Sequence, residues 1–401
     1  MLANRSRWVV SKSIAKWVGA KKRGSTRDNE RWMEDRLVPE SRNTMPITVG
    51  DVEYGTDFAS DGNPIQSPCL SEKLCRSATK VGDLTSQMQP GSSTFGRLTQ
   101  VGRKLRRTFL GHHRLLVRHF RVQIEDLPHS LTGLRIAHLT DLHHGPWVST
   151  ELILETVHLV NRLRPDLVLL TGDYVSSHPR YLLPGIRALA HLRPRIATLG
   201  VLGNHDWWVG AQHRRADFAS CGIGLIDRTR LFLTPERQLS AEPPPRGLCF
   251  AGIGDYWEDQ LRPSETFASV PSTIPRIVLS HNPDAAEDPC LLACGERVDL
   301  MLAGHTHGGQ VRLPSLPWAY APSRYGTKYL GGWVQAPKFP VFVSVGVGST
   351  GIPLRFGVAP EVVVFDLCPG ERFTWEPLAT RRNRGIGRHE IAEPAVSKSL
   401  P

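Results

Sequence analysis

The 401-residue chain is 40% hydrophobic and 22% charged, a composition that excludes a coiled coil and a fully disordered polypeptide. Its net charge of +11 is concentrated near the N-terminus, where residues 1–119 carry 21 Lys and Arg against 11 Asp and Glu, whereas residues 120–401 carry 28 against 27. Seven cysteines without a CxxC pair argue against a disulfide framework and against a zinc ribbon.

The first 23 residues contain seven basic side chains and no acidic one, with Trp8, Ile14 and Trp17 near helical spacing. This pattern predicts either a helix on an anionic membrane surface or a solvated basic tail. The segment lacks the apolar core of a signal peptide, and no run in the chain reaches the roughly 20 apolar residues of a membrane span. We therefore expect a cytoplasmic protein that contacts the inner face of the membrane peripherally.

Residues 39–96 are rich in Ser, Thr, Gly, Asp and Pro without periodicity, which predicts disorder. A second basic stretch, residues 103–118, interleaves six Lys and Arg with Leu and Phe. It predicts a helix that contacts a membrane or nucleic acid, or one that packs on the folded body. Residues 1–119 are thus interpreted as a basic, largely disordered extension.

Short β-rich apolar runs begin at residue 120 and alternate with helical patterns, most clearly at 151–163 and 180–192. Such alternation predicts an α/β domain with largely parallel strands covered by helices. The runs predicted as strands are 134–139, 167–170, 196–202, 248–253, 277–279, 300–303, 341–345 and 362–365. We place the domain at residues 120–367 and a loose polar tail at 368–401.

Polar side chains follow five of these runs at the point where each predicted strand ends. Because ligands of open α/β sheets bind beyond the carboxyl ends of the strands, these residues predict one shared site. They are Asp141, His143, Asp173, Asn204, His205, Asp206, His281, His305 and His307.

Carboxylate, imidazole and amide donors without cysteine suit Mn²⁺, Fe or Zn²⁺ better than Mg²⁺ or Ca²⁺. The candidate ligands are too many for one tetrahedral ion and are suited to two ions that share a bridging carboxylate. Such a pair activates water for attack on a phosphoester.

These residues form a series of motifs that resembles the calcineurin-like metallophosphoesterase superfamily. The motifs are Asp141-x-His143, Gly172-Asp173, Gly203-Asn204-His205-Asp206, His281 and Gly304-His305-x-His307. The resemblance implies a four-layer α/β/β/α sandwich and a phosphodiester or pyrophosphate hydrolase.

It also implies two metal sites and the roles of their neighbours. Asp141, His143 and His307 would hold one ion, Asn204, His281 and His305 would hold the other, and Asp173 would bridge them. His205 would act as general acid or transition-state stabiliser, oriented by Asp206.

Further segments, among them Ser323-Arg324-Tyr325-Gly326 and Pro353-Leu354-Arg355, resemble a bacterial membrane-associated phosphodiesterase branch. That branch is similar to enzymes that hydrolyse UDP-2,3-diacylglucosamine in lipid A synthesis, which implies a lipid-linked substrate. The alternatives are a protein or nucleotide phosphatase, and a binding protein that kept the fold without the chemistry.

Aromatic residues cluster beside the motifs and are expected either to line a cleft for a nucleobase or acyl chain, or to fill the core. They are Trp207, Trp208, Tyr256, Trp257, Trp318, Tyr320, Tyr325 and Tyr329. Arg324 is a candidate for binding a second phosphate of the substrate.

Overall fold

A computed structural model describes residues 115–312, 321–383 and 389–392. The predictions for the basic extension before residue 115, and for Trp318 and Tyr320, lie outside these residues. None of the described helices is both long enough and apolar enough to span a bilayer.

The first sheet has eight strands in the described part of the chain, in the order β15-β14-β1-β13-β2-β3-β4-β5. The neighbours from β2 to β5 are parallel, as are β1 and β13, while β14 and β15 add an antiparallel edge. Its strands are β1 (Leu116–Ile124), β2 (Leu134–Leu139), β3 (Leu167–Thr171), β4 (Ala197–Val201), β5 (Ile223–Leu225), β13 (Glu361–Pro369), β14 (Thr374–Asn383) and β15 (His389–Ala392).

The second sheet has the order β11-β12-β10-β9-β8-β6-β7 among the described strands. Its centre, from β12 to β8, is parallel, and both edges are antiparallel. Its strands are β6 (Thr229–Leu233), β7 (Leu239–Ser240), β8 (Leu248–Gly252), β9 (Arg276–Leu279), β10 (Leu300–Ala303), β11 (Gly332–Gln335) and β12 (Pro340–Val343).

Helices cover the outer face of each sheet. The α-helices are α1 (Thr150–Arg162), α2 (Leu182–Leu189), α3 (Asn204–Trp208), α4 (Arg215–Ser220), α5 (Pro263–Thr266) and α6 (Pro289–Ala293). Short 3-10 helices span His129–Leu131, Pro179–Tyr181, Ala211–Arg214, Pro283–Glu287 and His307–Gly309. The predicted α/β/β/α sandwich is confirmed.

The period-two geometry of the strands explains why the apolar runs are continuous. In β3, Leu167 and Leu169 join the core between the two sheets, whereas Val168 and Leu170 join the core beneath α1 and α2. Every residue of the strand is therefore buried, and burial of each such side chain stabilises the fold by about 1.5–3 kcal/mol.

The strands of the first sheet extend beyond the predicted limits of the domain, residues 120 and 367, at both ends. Residues 116–118, predicted as part of a basic helix, lie in β1, and residues 374–383, predicted as loose tail, form β14. About half of the residues in each strand are polar, so neither strand contains the continuous apolar run that predicts a buried strand. Their apolar sides meet in one aromatic cluster, where the Phe120 ring lies 5.7 Å from Trp375 and the Trp375 ring stacks on Trp333 at 5.1 Å.

The Asp366 carboxylate ties β13 to both of its neighbours. Its oxygens accept hydrogen bonds from Arg135 of β2 at 2.7 and 2.9 Å, and it lies 2.8 Å from His119 Nε2 of β1. Burial alone would raise the pKa of this carboxyl, but the hydrogen bonds from His119 and Arg135 outweigh it and lower the pKa to about 2.

We predict that Asp366→Asn lowers the free energy of unfolding at pH 7 by about 1–3 kcal/mol, because it removes charge-assisted hydrogen bonds. The folded-state pKa lies below the unfolded value of about 3.9, so this contribution is present above that pH and is lost as the pH falls towards 2. Urea unfolding at pH 7 and at low pH measures both effects. Glu376→Gln, which removes an exposed pair with Arg121 on the adjacent strand, is the control and is expected to cost under about 1 kcal/mol. Equal losses in the two variants would contradict the prediction.

Candidate metal centre

The candidate ligands converge at one edge of the sandwich, beyond the carboxyl ends of parallel strands from both sheets. Asp141 follows β2, Asp173 follows β3 and Asn204 follows β4, so the first sheet supplies three motifs. His281 follows β9 and His305 follows β10, so the second sheet supplies the others. The site is therefore assembled across the interface between the two sheets.

Five of the candidate ligands have left-handed backbone conformations. Their φ angles lie between 49° and 71°, a region that residues other than glycine rarely occupy. The residues are Asp141, His143, Asp173, His305 and His307. Backbone strain of this kind persists where the surrounding fold enforces it and is typical of functional sites.

One group of donors surrounds the end of β2. Asp141 Oδ1 lies 3.2 Å from His307 Nε2, and the Nε2 atoms of His143 and His307 are 3.0 Å apart. All three side chains are buried, and their donor atoms lie within 4.8 Å of one another. This group can hold one metal ion.

A second group lies beside it and shares the Asp173 carboxylate. Asp173 Oδ2 is 3.2 Å from His143 Nε2 and 3.3 Å from His281 Nε2. His281 Nε2 in turn lies 3.1 Å from His305 Nδ1. A single carboxylate oxygen thus stands between imidazoles of both groups.

Two buried polar atoms without hydrogen-bond partners in the described part of the chain indicate that this group of donors suits a metal ion. Asn204 Oδ1 and His305 Nε2 are buried and have no hydrogen-bond partner among the described residues. An unpaired buried amide oxygen is costly, and a cation would satisfy it. The mixture of carboxylate, imidazole and amide donors suits a borderline transition metal.

The pKa directions of three candidate ligands fit the same chemistry. His281 differs, because burial would lower its pKa but the Asp173 and Asp141 carboxylates raise it to about 10. Burial lowers the pKa of His305 to about 3 and places the pKa of His307 well below its usual value, so both rings are neutral with a lone pair available. Burial would raise the pKa of Asp141, but the facing histidines, His307 first, place it well below the usual value. Both the acid and the two imidazoles are thus in the protonation state that binds metal.

Hydrogen bonds on the far side of the rings orient the ligands. His281 Nδ1 donates to the carbonyl of Thr171 at 2.8 Å, which leaves Nε2 directed at Asp173. The Thr140 hydroxyl donates to Asp141 Oδ2 at 2.8 Å. Contacts of this type fix the tautomer and the direction of a metal ligand.

Comparisons with known proteins agree with this geometry. Residues 134–309 match the calcineurin-like phosphoesterase family. The chain is 33% identical to Phosphodiesterase YaeI of Escherichia coli (strain K12) over 264 residues, which cover 63% of this chain and 87% of that protein.

The chain belongs to the calcineurin-like phosphoesterase family.

Two further relatives are similar over most of the same region. Uncharacterized metallophosphoesterase YkuE of Bacillus subtilis (strain 168) is 28% identical over 69% of this chain and 94% of its own length. A transmembrane protein with a metallophosphoesterase domain from Danio rerio is 30% identical over 60% of this chain and 54% of its own length. The predicted family is confirmed, and the protein is a metal-dependent phosphoesterase.

His205 lies beside the donors, as the calcineurin-like motif implies, but Asp206 has a different place from the predicted one. The His205 ring is 4.7 Å from the His143 ring, and its Nδ1 donates to the carbonyl of Ser176. The Asp206 carboxylate accepts hydrogen bonds from the backbone amides of residues 173, 174, 175 and 203. Asp206 therefore holds the loop that carries Asp173, and Ser176 orients His205.

Sequence reasoning missed Asp255, which follows β8 at the same sheet edge. Its side chain is buried, Oδ1 accepts from the amides of Trp257 and Glu258 at 2.9 and 3.0 Å, and Oδ2 has no partner among the described residues. Burial raises its pKa to about 6. The strand-end rule would have found it, because Gly254-Asp255 follows an apolar run as Gly172-Asp173 does.

Arg355, quoted only as part of a subfamily segment, is buried behind the site. Its Nη2 lies 3.1 Å from His307 Nδ1, and its guanidinium donates to the carbonyls of Val345 and Gly348. The loop after β12 is thereby attached to the back of a candidate ligand.

Arg324 lies beside an aromatic ring, and the predicted aromatic residues differ in their burial. The Arg324 amide donates to buried Asp284, three residues beyond His281, and its guanidinium lies over the Tyr256 ring at 5.2 Å. Tyr329 is buried in the core beneath the second sheet, and Trp207 is partly buried against the core beneath the first. Trp208, Trp257 and Tyr325 are exposed.

Glycine is required where the backbone passes the carboxylates. A Cβ at Gly304 would lie 2.2 Å from both Asp141 Oδ2 and Thr140 Oγ1. We predict that Gly304→Ala displaces Asp141 and lowers metal affinity at least about tenfold, as loss of ligand orientation does in other metal sites. Metal titration by calorimetry measures it.

Gly295→Ala is the control for that substitution. Its Cβ would meet nothing within 4 Å, although its φ of 69° makes the change mildly destabilising. Undiminished metal affinity in Gly304→Ala, or an equal loss in both variants, would contradict a carboxylate held by glycine contact.

Proposed function

We propose that the protein hydrolyses phosphodiester or pyrophosphate bonds with two divalent metal ions. Asp141, His143 and His307 hold one ion; Asn204, His281 and His305 hold the other; Asp173 bridges them. The supporting observation is the position of Asp173 Oδ2, within 3.3 Å of an imidazole nitrogen from each group. Mn²⁺, Fe and Zn²⁺ are the proposed metals, since the donors mix nitrogen with oxygen.

A bound metal pair would supply an activated water and neutralise charge on the phosphate oxygens. The protein's own contribution is to position these groups and to handle the leaving group. With His205 Nδ1 committed to the Ser176 carbonyl, Nε2 is the nitrogen that meets a substrate oxygen. Burial lowers the pKa of His205 to about 4, so the ring is neutral at pH 7 until an anionic substrate favours its protonated form. His205 is therefore proposed to stabilise or protonate the leaving-group oxygen.

A narrower proposal concerns the substrate. The subfamily segments favour UDP-2,3-diacylglucosamine or a related nucleotide-linked lipid in lipid A synthesis. Exposed apolar side chains on the loop beyond β12, Ile352 at 54% and Phe356 at 49% exposure, would suit the acyl part of such a molecule. Purified enzyme releasing UMP from UDP-2,3-diacylglucosamine would support this substrate, and much faster turnover of phosphoproteins or free nucleotides would favour the alternative phosphatase function.

Location and domain limits are proposed on sequence grounds. The charge of residues 1–119 supports peripheral contact with an anionic membrane on the cytoplasmic side. Co-sedimentation with anionic but not neutral vesicles tests this contact, whereas binding that is specific to nucleic acid would favour the alternative partner. The catalytic domain is proposed to extend from residue 115 to at least residue 383.

We predict that Asp173→Asn removes metal and activity together, because the bridging oxygen loses its charge. Turnover of bis(p-nitrophenyl) phosphate with Mn²⁺ should fall at least about 1000-fold, as expected for loss of metal-assisted catalysis. Elemental analysis should show the loss of bound metal. Asp217→Asn in α4, which removes a carboxylate paired with Arg214, is the control and should retain both. Full activity in Asp173→Asn would refute the two-metal proposal.

We predict that His205→Asn separates catalysis from metal binding. Because His205 is not a proposed ligand, the variant should keep its metal content while kcat falls by about 10²–10⁴-fold, the usual contribution of a positioned acid. Rates and metal content are measured on the same preparation. His213→Asn, in an adjacent 3-10 helix, is the control. Loss of metal in His205→Asn would show that the residue is a ligand instead.

A further inference from the structure

Two exposed tryptophans lie directly against histidines of the metal centre. The Trp208 ring is 4.3 Å from the His205 ring, and the Trp257 ring meets His305 edge-to-face at 4.4 Å. Trp208 is 54% and Trp257 is 42% exposed, so each indole contacts the centre on one side and solvent on the other. Nothing in the proposed chemistry of metal and water requires indoles at these two positions.

Polar contacts fix the positions of the two tryptophans. The Trp208 indole N–H donates to the Glu258 carboxylate at 2.8 Å, which links α3 to the loop after β8. Buried Asp255 accepts hydrogen bonds from the amides of Trp257 and Glu258 and so fixes the second loop. The linked loops therefore hold Trp208 against the proposed leaving-group histidine and Trp257 against His305.

The aromatic surface continues from Trp257 to a cation. Tyr256 is partly buried beside Trp257, and the Arg324 guanidinium lies over its ring, with Nη1 3.2 Å from the tyrosine oxygen. Asp284, on the segment that follows His281, anchors the Arg324 backbone. We call Trp208, Trp257, Tyr256 and Arg324 the aromatic strip.

We propose that the aromatic strip is a substrate subsite for a nucleoside phosphate, in which the two indoles stack on the planar base and Arg324 binds an additional anionic oxygen. This inference rests on the proposed phosphoester hydrolysis and specifies its substrate class. Base–aromatic stacking tolerates different bases, because every base presents a π-face.

The polar groups of the strip favour a base over an acyl chain. Glu258 and the tyrosine hydroxyl can hydrogen-bond to the edges of a base, whereas an acyl chain would cover the Glu258 carboxylate and the Arg324 guanidinium without replacing their water. The guanidinium also matches the geometry of a phosphate oxygen pair.

The test compares product-like inhibitors that differ only in the base. Metal-loaded enzyme hydrolyses bis(p-nitrophenyl) phosphate in the presence of UMP or of ribose 5-phosphate. We expect UMP to inhibit about 5- to 100-fold more tightly, the range that base–aromatic stacking provides. Trp208→Leu and Trp257→Leu should each reduce this preference at least threefold, and Trp257→Phe should retain more of it. Quenching of tryptophan fluorescence by UMP supplies a readout that is independent of turnover.

Trp147→Leu is the matched control, because Trp147 is 41% exposed and none of its ring contacts in the described residues is with a site histidine. This variant should keep the wild-type preference for UMP. Metal content measured in all variants separates loss of stacking from disturbance of His205 or His305.

Equal inhibition by UMP and ribose 5-phosphate in the wild-type enzyme would overturn the inference. Octyl phosphate provides the competing outcome, since tight inhibition by it that is lost in the two leucine variants, without a UMP preference, would assign the strip to an acyl chain. Either result would leave phosphoester hydrolysis intact. Absence of metal and of diester turnover in the wild-type protein would instead refute the proposed function.

Discussion

The buried carboxylate of Asp173 constrains most of this structure. A charge removed from water is stable only beside compensating charge or hydrogen bonds, and Asp173 has histidines from both sheets around one oxygen and a backbone amide on the other. The loop that carries it is in turn held by Asp206 through three backbone amides. Two sheets that meet across a hydrophobic core can satisfy these requirements, because each delivers part of the histidine set.

The fold tolerates unfavourable local geometry at this edge because its core supplies stability elsewhere. Left-handed residues at the ligand positions cost roughly 1–3 kcal/mol each, whereas the strands beneath them are almost entirely buried. Glycines such as Gly203 and Gly304 allow the backbone to pass within van der Waals distance of the carboxylates. Close approach and strain together direct the donor atoms to a common point.

Polar groups lie behind the metal centre, and aromatic groups lie on its solvent side. Buried carbonyls and hydroxyls behind the ligands, such as Thr171 and Thr140, orient donor atoms without adding charge. On the solvent side, indoles that contact His205 and His305 offer a surface for a planar group. Residues 120–401 carry nearly equal numbers of basic and acidic side chains, so the proposed binding of a phosphate anion depends on local cations, for which metal ions and Arg324 are proposed.

The sequence by itself determined the residue types of the centre, the family and the α/β character of the domain. Motifs such as Gly172-Asp173 directly follow buried parallel strands, and both the motif and the apolar run of the strand can be recognised in the sequence. Half-polar strands lack such an apolar run. The tertiary structure was therefore needed to identify β1 and β14, whose residues Phe120 and Trp375 pack against each other.

Roles that depend on direction were likewise decided by the tertiary structure. Asp206 lies next to His205 in the chain, yet its carboxylate points to the backbone amides of another loop. Adjacency along a chain specifies neither where a side chain points nor what faces it, because both depend on how separate segments pack.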